Sequence, residues 1–157
     1  MKNKKGMALV EIIIGSAIIS AGILAAITSY NVYVDYALSN NKNIQASYLL
    51  EEGLEVFTLF RNNGWNANIS GLSTTTTYYI AYSGSTWATT TTPQYVDGVF
   101  LRSITISDVK RDGTDVISSS GTYDPNTKKV TSTVEYSQGH ATTTKSISTY
   151  ITNIYAN

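Results

Sequence analysis

Glu11 is the only charged side chain between residues 7 and 27, in a run otherwise made of Met, Ala, Leu, Val, Ile, Gly and Ser. A carboxylate near a membrane interior costs about 2.5–3.5 kcal/mol on insertion scales, so it marks a functional site that needs a partner. A second group able to do chemistry is Asp108, Asp112 and Asp115 around Gly113, whose oxygens are weak candidates for calcium ligation. The full EF-hand pattern is missing, and Lys110 and Arg111 dilute the local negative charge; turn formation by Asp is the competing explanation. His140 is the only histidine and lies in a turn beside Gly139. A lone turn histidine is usually solvated, and with no cysteine in the chain it gives no basis for a zinc site. No glycine-rich phosphate loop is present. No grouping of residues supports an enzyme.

The element that must position Glu11 follows from the run around it. Residues 7–27 supply roughly the 20 residues, at about 1.5 Å rise each, that span a hydrocarbon core. Lys2, Lys4 and Lys5 precede the run, and no basic residue follows until Lys42. The positive-inside rule therefore places the N-terminus in the cytoplasm and the remainder outside, as a single-pass membrane protein. A secretory signal peptide cut near Ala25-Ala26 and a plain uncleaved signal anchor fit the same hydropathy, but neither explains Glu11.

The stretch Lys4-Lys5-Gly6-Met7-Ala8-Leu9-Val10-Glu11, followed by the apolar run, resembles the N-terminus of type IV prepilins and pseudopilins. The specific match covers about the first 25 residues. The resemblance implies a leader of residues 1–6, cut by a prepilin peptidase between Gly6 and Met7, with methylation of the new terminus. It implies that Glu11, fifth in the mature chain, pairs with the free amine of a neighbouring subunit's Met7 and so directs filament assembly. Met7 stands where the family usually has Phe, and the chain has no Pro before Pro93, so the helix lacks the proline at which many pilins bend. Gly15 and Gly22 are its remaining weak points. Some pseudopilins bind calcium in their heads, which keeps Asp108, Asp112 and Asp115 in view.

Beyond the span, helical character continues through residues 28–63. Ala46, Leu49, Leu50, Gly53, Leu54, Phe57 and Phe60 recur at three- and four-residue steps and make one apolar stripe, ended by Asn62-Asn63-Gly64. One helix from Met7 to about Asn62 would be roughly 80 Å long. Tyr30, Tyr33 and Tyr36 suit either a membrane–water interface or neighbouring subunits in a filament.

From residue 64 to 157 the pattern becomes short alternating runs rich in Thr, Ser, Tyr and Val. Strands are expected at 78–82, 87–92, 99–106, 130–136 and 144–154. Asp112-Gly113 should turn a hairpin returned by 114–118, and Gln138-Gly139-His140 should turn the last one. Ile104, Ile106, Val130, Val134, Tyr136, Ile147 and Ile151 are the expected inward residues. The fold class is α+β: a long N-terminal helix, transmembrane in its first half and amphipathic in its second, packed on an antiparallel β-sheet head. The resemblance implies the same architecture, as in pilins.

The chain has 157 residues, 11 basic and 11 acidic side chains, and no cysteine, so no disulfide pins its C-terminal loop. Loss of the three leader lysines would leave eight basic against 11 acidic, which argues against nucleic-acid binding by charge. Two function classes remain. One is a structural filament subunit, a minor pilin or pseudopilin of a type IV pilus (adhesion, motility or DNA uptake) or a type II secretion filament. The other is a membrane-tethered or secreted β-domain that binds a surface ligand without polymerising. For the first, the resemblance implies as partners the peptidase, other pilin subunits, an ATPase-driven inner-membrane assembly platform, and lipid before assembly. No cofactor is expected, calcium being the weak exception.

Overall fold

The computed structural model of the protein describes residues 4–138 and 141–154. The chain divides into two compact units, residues 1–42 and 43–157. Helix α1, Lys4–Asn62, is a single run of 59 residues that begins in the first unit and ends in the second. It has no proline, and its run of Leu, Ile, Ala and Met suits an uninterrupted helix.

In the second unit the last five turns of α1 present the expected stripe. Ala46, Leu50, Gly53, Phe57 and Phe60 are buried, joined by Val56. At the helix end, Asn63 N–H donates to the Leu59 carbonyl at 2.9 Å. The short helix α2, Trp65–Asn68, follows. Asn68 Nδ2 donates to the carbonyls of Phe60 and Gly64, giving the otherwise orphaned end of α1 a partner.

The strands are all antiparallel. β1, Tyr79–Ser83, and β2, Thr86–Thr90, form a hairpin sheet of their own. The larger sheet contains β3 (Tyr95–Val96), β4 (Phe100–Arg111), β5 (Ile117–Ser118), β6 (Thr122–Gln138) and β7 (Ala141–Thr152). Its order is β3-β4-β6-β7, with β5 paired to the end of β4. Tyr78 and Ile104 exchange backbone hydrogen bonds at 2.9 and 2.7 Å, tying the hairpin to β4.

Phe100, Ile104 and Ile106 of β4, Val130, Val134 and Tyr136 of β6, and Ile151 of β7 are buried on the face that α1 covers. They merge with the α1 stripe into two apolar clusters. One holds Phe57, Phe60, Trp65, Ile69, Ile80, Ile104, Ile106, Val130 and Ile151; the other holds Ala46, Leu50, Phe100, Val134 and Tyr136. Where the clusters meet, Gly53 lies against Ser132. A Cβ on Gly53 would come within 2.5 Å of the Ser132 hydroxyl oxygen and 3.1 Å of Ile104 Cδ1. The close approach of helix to sheet thus depends on glycine at this position.

Several sequence expectations need correction. Ile147 is not inside. It pairs with the fully buried Ser132 but is 36% exposed, because β7 is the edge strand. The return strand expected over 114–118 shrinks to Ile117–Ser118, since Asp112, Thr114 and Val116 are engaged in the turn. The strand expected over 130–136 is one part of a 17-residue strand. Val109 pairs with Asp124 and Asp108 with Lys128, so residues 125–127 have no place in the β4 ladder. Pro125 sits in this bulge, where its missing N–H is harmless. The turn expected at Gln138-Gly139-His140 has Gly139 and His140 outside the described residues.

Candidate functional site: an unpartnered apolar helix and a charge-paired sheet domain

In the first unit, α1 includes a segment long and apolar enough to cross a membrane, none of it buried within the chain. Met7, Ile12, Ile18, Ile19 and Leu24 are each more than 60% exposed. Polar side chains along it turn back on the helix. Ser16 Oγ donates to the Ile13 carbonyl at 2.9 Å, and Thr28 Oγ1 donates to the Leu24 carbonyl at 3.0 Å. Such bonds suit a medium without water, where a lone hydroxyl would be costly.

Glu11 is exposed on the same helix, and among the described residues no ion pair reaches it. Gly6 and Met7 fall within the first turn of α1, the turn whose N–H groups lack intrahelical acceptors and which frays most readily. A Cβ at Gly6, Gly15 or Gly22 would meet nothing in the chain. Tyr30, Tyr33 and Tyr36 are all exposed.

In the second unit the three candidate calcium ligands turn to separate tasks. Asp108 Oδ1 accepts a hydrogen bond from Lys128 Nζ at 2.6 Å. Asp112 Oδ1 accepts from Thr114 Oγ1 at 2.7 Å and from the N–H groups of Thr114 and Val116 at 2.9 and 3.1 Å. These bonds hold its carboxyl below the ordinary range, the Thr114 hydroxyl contributing most. Asp115 lies 3.5 Å from Arg111 Nε. Among the described residues no three or more metal-ligating side chains converge.

Charge pairs that the sequence reading passed over organise this unit. Arg102 is 3% exposed, hydrogen-bonds Glu52 of α1, and lies 5.8 Å from the Trp87 ring centroid. Among the described residues its Nε has no hydrogen-bond partner, a standing cost of burial that the Glu52 pair offsets. The signal was available: Arg102 falls in the same alternation as Phe100, Ile104 and Ile106. Arg111 Nε donates to Asp124 Oδ2 at 2.7 Å, and Arg111 Nη2 donates to Thr127 Oγ1 at 3.2 Å. Burial alone would raise the Asp124 carboxyl, but hydrogen bonds from Arg111, Thr127 and the Asn126 N–H outweigh it and lower the pKa. Lys128 is likewise pushed down by burial and pulled further up by Asp108 and Tyr123, for a net rise. Tyr136 Oη donates to Asn43 Oδ1 at 2.5 Å, tying β6 to α1, and burial raises its phenol.

No family model, curated protein or solved structure matches this chain.

Proposed function

We propose that this protein is a structural subunit, a minor pilin or pseudopilin, of a type IV pilus or type II secretion-like filament. The observation that carries this reading is Glu11: the one charge between residues 7 and 27 of an exposed apolar segment, five residues beyond Gly6 and without an ion-pair partner among the described residues. The long N-terminal helix followed by an antiparallel sheet is compatible with the same architecture.

In this account the chain inserts in the inner membrane with its N-terminus inside and its sheet domain outside. A prepilin peptidase cuts between Gly6 and Met7 and frees an amine that did not exist before. Glu11 of the next subunit then meets that amine in an apolar surrounding. Two opposite charges there compensate each other's lost hydration, and breaking such a pair costs about 3–5 kcal/mol. Cleavage and assembly are thereby coupled. The apolar surface that lipid covers before assembly becomes the contact between helices afterwards. An assembly platform, its ATPase and sister pilins are the partners this route requires.

Mass spectrometry of the N-terminal peptide, from membranes and from sheared extracellular material, tests the proposal. A terminus at Met7 in the sheared fraction, with or without one added methyl, is expected. An intact Met1 terminus confined to membranes would leave a tethered domain, and a terminus near Ile27 a secreted one; either overturns the filament reading.

A further inference from the structure

β7 is the open edge of the large sheet. It runs the 12 residues of Ala141–Thr152 without proline, in one unbroken register with β6. Asn153 N–H donates to the Asn126 carbonyl at 2.8 Å and continues that register. Backbone direction alternates from this bond along the strand. The N–H and C=O groups of Lys145, Ile147, Thr149 and Ile151 therefore point to β6, and those of Thr144, Ser146, Ser148 and Tyr150 point away from it. Among the described residues no strand pairs with that outward row.

Long edges are ordinarily blunted by proline, bulges or charges, because an unpaired row templates another strand. β7 carries a single charge, Lys145. Lys145 lies opposite the buried Val134 and Ile147 opposite the buried Ser132, so both share the core side of the sheet with Ile151. Lys145 makes no ion pair among the described residues, and Ile147 is left 36% exposed. Together they act as a filter on any strand that arrives. A lysine facing Lys145 would repel it and an apolar residue would leave it unpaired, whereas a carboxylate would neutralise it.

We propose that β7 binds an extended peptide segment of another protein by antiparallel strand addition, with an apolar residue facing Ile147 and a carboxylate facing Lys145. Main-chain hydrogen bonds to the outward row supply the affinity, and the two side-chain pairs supply the specificity. In such an addition Lys145 and Ile147 fall at the non-hydrogen-bonded positions, where facing Cα atoms come within about 4.5 Å and side chains meet most closely. The two strands run in opposite directions, so the partner's motif reads apolar, any residue, acidic from its N- to its C-terminus. A second copy of β7 does not offer that motif, because the strand contains no acidic residue. The inference rests on the sheet domain alone, and its failure would leave the filament reading untouched.

The test is fluorescence anisotropy of a labelled, blocked, Thr-rich peptide with a Val-Thr-Glu centre, titrated with the full chain in detergent micelles. Saturable binding is expected, with slowed amide exchange at Thr144, Ser146 and Ser148. The same peptide N-methylated along its bonding edge should not bind, and one with a Val-Thr-Lys centre should bind about tenfold more weakly. Lys145→Glu should reverse that preference, a result that loss of the fold cannot imitate. Ser146→Pro removes an outward N–H that β6 does not use, so it should abolish binding with little change in melting temperature. Absence of saturable binding, equal binding of the N-methylated peptide, or no reversal by Lys145→Glu would overturn the proposal. So would self-association of the chain that Ser146→Pro abolishes, because the edge would then belong to a second copy.

Discussion

The two units treat charge in opposite ways. In the sheet domain Arg102, Arg111 and Lys128 each meet a carboxylate of the same chain, and the apolar faces of helix and sheet cover one another. In the first unit an apolar surface is left bare, and among the described residues Glu11, the one carboxylate between residues 7 and 27, has no ion-pair partner. A buried or lipid-facing charge without a partner is expensive, so the contrast has a physical meaning. One unit pairs its buried cations, Arg102 and Lys128, within its own sequence. Under the proposed function, the other would be satisfied first by lipid and then by a second copy.

The contrast can be sharpened by breaking pairs in the sheet domain while watching the N-terminus. The largest effect is expected for Glu52→Ala, which strands the buried Arg102 guanidinium. Glu52 is 40% exposed, so solvent moderates the loss. A destabilisation of about 2 kcal/mol is expected from denaturant titration, with cleavage after Gly6 unaltered. Altered cleavage would mean that the two units are not independent in function.

A smaller loss is expected for Gly53→Ala. Helix propensity would improve by about 1 kcal/mol, but overpacking against Ser132 and Ile104 costs about 1–3 kcal/mol, so the net change is destabilising or close to neutral. Ser132→Ala removes the nearest atom, an oxygen with no hydrogen-bond partner. The double substitution should therefore be more stable than Gly53→Ala alone. Simple additivity of the two changes would refute the close-packing account.

The smallest effects are pH-dependent. Asp124 has a lowered pKa, so its stabilising contribution is complete above the unfolded carboxylate value of about 3.9 and is lost as pH falls through the folded value. Lys128 has a raised pKa; its contribution is complete below about 10.4 and is lost as pH rises through the folded value. Thermal melts of Asp124→Asn should show a shallower acid limb than the parent, with the alkaline limb unchanged. Equal acid limbs would remove Asp124 from the account.

Much of this architecture was legible in the sequence because periodicity and burial coincide. The stripe from Ala46 to Phe60 and the alternation of Val130, Val134 and Tyr136 each name the face that is buried. Ile147 shows the limit: alternation gives its face, but only strand order reveals that the face is uncovered at the sheet edge. Arg102 was missed because a charged residue in an inward position contradicts hydropathy until its distant partner Glu52 is known. The bulge at 125–127 is invisible without the register, although Pro125 hinted at a break in pairing. The β3–β4 hairpin did carry a local sign, Asp97-Gly98, where both residues adopt positive φ, 51° and 66°. At the N-terminus the residues name the candidate site, and the proposed pairing lies between chains.

Incorporation of Glu11→Ala into filaments is the most direct test of that central claim. Tagged parent and variant subunits would be co-expressed, and their ratios compared in membranes and in sheared filaments, with the N-terminal peptide followed in both. The account predicts normal insertion and a Met7 terminus, but strong depletion of the variant from filaments. Filaments containing the variant in proportion to its membrane level would contradict it, because the carboxylate would then have no role in assembly.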